Sequence, residues 1–286
     1  MHRYNAKMCF HALRSILFTT LVLAPCLSAQ VTAAELKPET RRAFDRYVSL
    51  VEKRLQTTNP NSPFLWVRSL PAAQQNAALQ RLKNGEVVTE KMREKDNGQD
   101  VQAPGGMLHH WIATVFVPGG NLQQTLTLLQ DYDHHKDLYK SEVVDSKLLS
   151  RDGNKFRAYM RFYKEKIIGV TLNTVHEAEY VSLNPKQAYS NSHTTRIAEV
   201  ANAGEKTEHE KPVGHDNGFL WALNSYWRIE EADGGVYVQC EAVSLTRDIP
   251  AIVSWIVKPF VTEVPKESLY NTLHSTRVGL LQRLKK

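Results

Sequence analysis

The chain has 286 residues, 42% hydrophobic and 23% charged, a profile that suits one large globular domain or two modest ones. Its net charge of +6 and pI near 9.1 raise a polyanion as a partner, but Arg3, Lys7 and Arg14 fall in the first 33 residues, where there is no Asp or Glu. The +3 that remains argues against nucleic acid. Cys9 and Cys26 lie in the same stretch and Cys240 stands alone after it, which excludes an intramolecular disulfide and a paired-cysteine zinc site beyond residue 33.

Residues 1–33 read as a cleavable signal peptide: a basic start, an apolar run from Ser15 to Pro25 too short to span a bilayer, and Val31-Thr32-Ala33 as the cleavage site. The expected location is therefore periplasmic or secreted. Residues 34–104 read as a helical extension and linker. In it, Phe44, Tyr47, Val48, Val51 and Leu55 recur at helical spacing from Pro38 to Gln56, and a second helix is predicted over Pro71–Leu82. The polar run from Arg93 to Gly106 is the predicted linker.

Residues 105–286 form the predicted main domain. His109–Val117 reads as a strand, and Asn121 as the cap of a helix carrying Leu122, Leu126 and Leu129. Strands are predicted over 143–149, 155–163, 168–183 and 187–200. In the second, Phe156, Ala158, Met160 and Phe162 share one face. A charged loop, 202–218, leads to two long strands, 219–231 and 236–247, joined at Asp233-Gly234. That turn sets Glu231 opposite Val236, Tyr226 opposite Glu241 and Trp227 opposite Cys240. One face then carries Trp221, Leu223, Trp227, Ile229, Val238 and Cys240; the other carries Asn224, Tyr226, Arg228, Tyr237, Gln239 and Glu241. A short apolar helix ending at Pro259 and a long amphipathic helix over 265–284, striped by Leu269, Leu273, Leu280 and Leu284, complete the chain.

Three stretches, Asn224-Ser225-Tyr226-Trp227-Arg228, the run from Gly234 to Pro250 (GGVYVQCEAVSLTRDIP) and Pro265-Lys266-Glu267-Ser268-Leu269, resemble bacterial members of the START-like (SRPBCC) superfamily. Leu129-Gln130-Asp131-Tyr132-Asp133 and the strand after Val143 resemble that superfamily's first helix and second strand. The resemblance covers about Leu108 to Leu284. It implies an α+β helix-grip fold, a curved antiparallel sheet closed by the C-terminal helix, with a cavity for an apolar ligand. The superfamily includes lipid-transfer domains and polyketide cyclases, so membership does not choose a reaction.

No residue is assigned to catalysis, no metal ligand and no cofactor. Asp131, Asp133, His134 and His135 look metal-like, but vicinal histidines on a helix diverge by about 100° and seldom reach one ion. The 202–218 loop, with Glu205, Glu208, His209, Glu210, His215 and Asp216, reads as a solvated loop. Asn224, Tyr226, Arg228, Gln239 and Glu241 are the candidate headgroup site of a ligand cavity; the alternative is a sheet face that needs no ligand. Lys164, Lys166, Lys258, Lys266, Arg283, Lys285 and Lys286 read by default as scattered surface charge; the alternative is transient contact with anionic lipid headgroups. The leading expectation is an exported protein that binds or carries a lipid or other hydrophobic small molecule. Alternatives are a cyclase or dehydratase using Glu241 or His193 as acid or base, and a module whose N-terminal helices bind an unknown protein partner.

Overall fold

The computed structural model describes residues 34–56, 63–165, 169–249 and 251–285, without the side chains of 251–262. The expected signal peptide, most of the 59–63 loop, Lys166, Lys286 and the Lys258 side chain lie outside the described residues. Residues from 34 onward belong to one compact unit. In chain order the elements are β1 (Ala34–Glu35), α1 (Pro38–Gln56), a short 3-10 turn (Trp66–Ser69), α2 (Ala72–Lys83), β2 (Val88–Lys91), β3 (Lys95–Asp96), β4 (Gln99–Asp100) and β5 (Gly106–Pro118). Next come α3 (Leu122–Leu129), α4 (His135–Leu138), β6 (Val143–Asp152), β7 (Lys155–Glu165), β8 (Gly169–Asn184) and β9 (Gln187–Ala201). β10 (His209–Glu210), β11 (His215–Asp216), β12 (Ala222–Ala232), β13 (Gly235–Arg247) and α5 (Ala251–Arg283) end the chain.

One antiparallel sheet dominates, in the order β2-β5-β13-β12-β9-β8-β7-β6, with β10 paired to β9. The β12–β13 register is the one the sequence dictates. Asp233 and Gly234 both take positive φ, the pairing a type I′ turn requires, and Glu231–Val236, Tyr226–Glu241 and Trp227–Cys240 face one another. Asn121 caps α3 through a reciprocal capping box with Gln124.

The C-terminal stripe of α5 packs on one sheet face. Leu269, Leu273 and Leu280 meet Val115, Val117, Ile229, Val236, Val238 and Cys240, with Leu128, Phe156, Ala158 and Tyr180 in the same cluster. This is the helix-grip arrangement. The opposite face is covered as well, by the segment expected to be an extension: Phe44, Tyr47 and Val51 of α1 bury against Tyr226, Val243 and Leu245, while Leu65, Val67 and Leu82 bury against Phe116 and Tyr237. The sheet is thus sandwiched between helical layers.

Three expectations change. β2 lies between the two predicted N-terminal helices and β5, and it extends the main sheet from within the supposed extension. Trp221 precedes β12 instead of lying in it. Its indole donates to Asp216 and packs in the α1 cluster, away from Trp227. Pro259 does not end a helix, since α5 runs unbroken through Pro259 and Pro265. Each proline removes its own N–H bond, while the turns on either side keep theirs.

Candidate functional site

The five polar residues expected at a ligand headgroup all sit on the α1 side of the sheet. Strand alternation puts them there, because Trp227, Ile229, Val238 and Cys240 take the side facing α5. Glu241 is 1% exposed, and its Oε1 accepts from Arg54 of α1 and lies 2.6 Å from His110 Nε2. His110 Nδ1 is 2.8 Å from the Tyr47 hydroxyl, which also accepts the backbone N–H of Glu94 at 2.9 Å. Arg54 donates to Glu94 at 2.6 Å. Tyr226 donates to Glu52 at 3.0 Å, Asn224 to Tyr226 at 3.3 Å, and Arg228 to the carbonyls of Phe64 and Leu55 at 2.7 and 3.0 Å. Gln239 accepts the Trp66 N–H at 2.7 Å. These side chains fasten the N-terminal segment to the sheet rather than lining a space under α5.

Burial pushes the Glu241 pKa up, but the His110 hydrogen bond and the charge of Arg54 outweigh it, and the net shift is downward. The carboxylate is therefore ionised at neutral pH. Glu94, His110 and Glu241 bring one ligand atom each within 4.8 Å of one another, a donor set that suits a transition metal. Arg54 reaches both carboxylates and supplies the positive charge that set requires.

The other polar clusters hold loops. Asp131 accepts from Arg283 at 3.0 Å and pairs with His134 at 2.6 Å. Asp133 accepts the Leu148 N–H, and His135 turns inward toward the Leu129 carbonyl. Glu208 is gripped by both arms of Arg161 at 2.9 Å, and Glu210 by Arg196. His193, named for acid–base chemistry, is 56% exposed on the same sheet side as Asn224, 3.7 Å from Glu177. Neither Glu241 nor His193 faces the α5 side, and this removes the residues on which the cyclase alternative rested. Cys240 does face α5. It is 2% exposed, and burial drives its thiol pKa far up, so it behaves as a small apolar side chain.

Rows of paired residues across the α5 side grade from apolar to polar. One row runs Ile229, Val238, Val115, all fully buried. The next, Tyr180, Ser190, Trp227, Cys240, Ala113, is mixed, as is the one after it, Ala178, Ser192, Ser225, Ala242, Trp111. The last is the most polar: His176, Thr194, Leu223, Ser244, His109. Trp111, Met160, Trp227 and Ala242 are only partly buried although they face the core. The amino groups of Lys266 and Lys91 lie over the Trp111 ring, 5.6 and 6.0 Å from its centre. Two open surface clefts lie elsewhere. One, of about 490 Å³, is lined by Asn121, Leu126, Asn184 and Glu231 among others, and one of about 350 Å³ lies beside Thr40 and Trp221.

Continuing the alternation of β7 into β8 would have put His176 on the Phe156 face, so the polar row was within reach of sequence reasoning. The partners on α1 were not, since nothing local marks them.

No family model and no curated protein matches the chain. Solved structures do. The STAR-related lipid transfer protein of Xanthomonas axonopodis is 16% identical, covers 67% of this chain and 99% of its own, and has a TM-score of 0.42. The Zhui aromatase/cyclase of a Streptomyces species is 12% identical over 62% and 96% of the two chains, with a TM-score of 0.41. A START superfamily protein from Mycobacterium smegmatis is 10% identical over 61% and 99%, also at 0.41. At these identities and TM-scores the likenesses carry nothing about ligand or reaction to this chain.

Proposed function

We propose that this protein binds a lipid or other hydrophobic small molecule between the sheet and α5, and that it does so after export. The reading rests on one observation: Trp111, Met160, Trp227 and Ala242 face α5 from neighbouring rows yet keep part of their surface, while Val115, Val238 and Ile229 are fully buried. Apolar side chains that face inward and keep part of their surface are the usual wall of a small-molecule site. Trp111 and Trp227 supply wide, rigid contact. Lys91 and Lys266 beside Trp111 would meet anionic lipid headgroups during loading. Export is supported by the basic start, apolar run and small-residue site of residues 1–33.

Displacement of a polarity-sensitive dye by lipids, together with native mass spectrometry of gently purified protein, tests the binding. Ala242→Trp, which fills the wall, is expected to weaken displacement at least about tenfold, and Tyr226→Phe, on the other sheet side, to leave it unchanged. Absence of dye uptake and of any co-purifying ligand would overturn the reading. Export is tested separately, by sequencing the N-terminus of the protein recovered outside the cytoplasm, with Ala34 as the expected first residue.

A further inference from the structure

Two imidazoles stand at the ends of the most polar inward row, His176 on β8 and His109 on β5. Each is paired with a threonine. Thr174 Oγ1 donates to the Met160 carbonyl at 2.9 Å and lies 2.9 Å from His176 Nε2. We assign the hydroxyl proton to that carbonyl, so that the hydroxyl accepts from the imidazole and His176 carries its hydrogen on Nε2. The same holds on the other side. Thr246 Oγ1 donates to the Arg247 carbonyl at 3.2 Å and lies 3.0 Å from His109 Nε2. In both rings Nδ1 is left as a bare acceptor, with no hydrogen-bond partner among the described residues.

Between the two rings the row carries Thr194, whose hydroxyl accepts the Leu223 N–H at 3.0 Å, and Ser244. Ser192 and Ser225 lie one row further in. Between β8 and β5 neither row carries Asp, Glu, Lys or Arg; past Trp111 the inner row continues to the exposed Lys91 on the edge strand β2. Both histidines are almost wholly buried, and burial, with Lys91 adding to it at His109, lowers their pKa to about 4. At neutral pH the polar groups of the row between His176 and His109 are hydroxyls and uncharged imidazoles, and an anion buried among them has no compensating charge within that row.

We propose that the ligand is an uncharged amphiphile whose hydroxyl or amide donor is accepted by Nδ1 of His176 or His109, with its apolar body along Trp111, Trp227 and Met160. This rests on the binding site proposed above and names the class of molecule it takes. The threonines are positioning residues, since each fixes the tautomer that leaves Nδ1 as an acceptor.

The test uses four probes that share one apolar chain, palmityl alcohol, palmityl methyl ether, palmitate and palmityl phosphate, each displacing the same dye from the mature protein. The alcohol is expected to bind about tenfold tighter than the ether, the scale of one hydrogen bond gained, and tighter than both anions. Double replacement by His109→Phe and His176→Phe is expected to bring alcohol and ether together while dye uptake persists. Thr174→Val, which frees the His176 tautomer, is expected to narrow the preference part-way. A wild-type alcohol-to-ether ratio near one, or an anion as the tightest probe, overturns the proposal while leaving the hydrophobic site in place. Displacement by none of the four overturns the site and the proposal together. Because the wild-type series alone decides, a variant that fails to fold does not rescue the idea.

Discussion

Arg54, in the last turn of α1, donates to Glu241, in the middle of β13 and 187 residues later in the chain. The contact joins the N-terminal helix to the sheet through a carboxylate that is 1% exposed, beside a guanidinium that is 38% exposed. Removing the partner of a buried charge typically costs about 3–5 kcal/mol, and the solvent reaching Arg54 places this pair toward the lower end. Arg54→Ala is therefore expected to destabilise the fold by about 3 kcal/mol in urea denaturation, while dye binding under α5 stays within about twofold of wild type. A large loss of dye binding with unchanged stability would instead assign Glu241 to the ligand.

Three buried histidines set the response to acid. Burial lowers the pKa of His109, His135 and His176 from 6.5 to about 4. Between those values the unfolded chain binds more protons than the native one, so stability rises with pH across the window and is lost as pH falls through it. Each histidine contributes on the order of 3 kcal/mol to the loss. The urea midpoint is expected to hold above pH 6.5 and to drop steeply toward pH 4, and His176→Gln should remove about one proton from the slope.

The β12–β13 turn separates two kinds of glycine. Gly234 has φ of +76°, and a Cβ there would have nothing within 4 Å, so Gly234→Ala meets only the left-handed backbone penalty, about 1 kcal/mol. At Gly235 a Cβ would overlap the Val117 carbonyl oxygen and the Phe116 ring. Gly235→Ala is expected to cost about 2–3 kcal/mol, because backbone rather than a side-chain tip must yield. Equal melting points for the two variants would contradict this.

The N-terminal segment acts as part of the core. A fragment of residues 105–286 loses α1, α2 and β2, exposing Tyr226, Val243, Leu245, Phe116 and Tyr237 together with β5 as a bare edge. It is expected to aggregate, or to unfold without a cooperative transition in circular dichroism. A monomeric, cooperatively folding fragment would show that the extension is dispensable.

Where chain neighbours decide the geometry, the sequence was readable. Asp233-Gly234 dictates the register of two strands, Asn121 starts α3, and the leucines of α5 define its buried stripe. Parity likewise separates Tyr226 and Glu241 from Trp227 and Cys240, but it does not say which side a distant helix will cover. Arg54, Glu52 and the Phe64 carbonyl meet β12 and β13 across more than 160 residues, and no periodicity marks such partners. β2 escaped because it is four residues long and polar at one end. At Pro259 the helix survives one missing bond, an outcome that helix-breaking propensity alone does not foretell.

The sheet order has a kinetic consequence. β5 finds its long neighbour only in β13, more than a hundred residues later, and the cluster of Tyr47, Arg54, Glu94 and His110 lacks Glu241 until that strand is made. Loop closure on this scale precedes any reward from the contacts it allows, so folding is expected in the slow, millisecond-to-second regime of proteins dominated by non-local pairing, a rate that stopped-flow refolding would measure. Until β13 arrives the sheet is in two pieces, since β13 is the strand that joins β5 to β12.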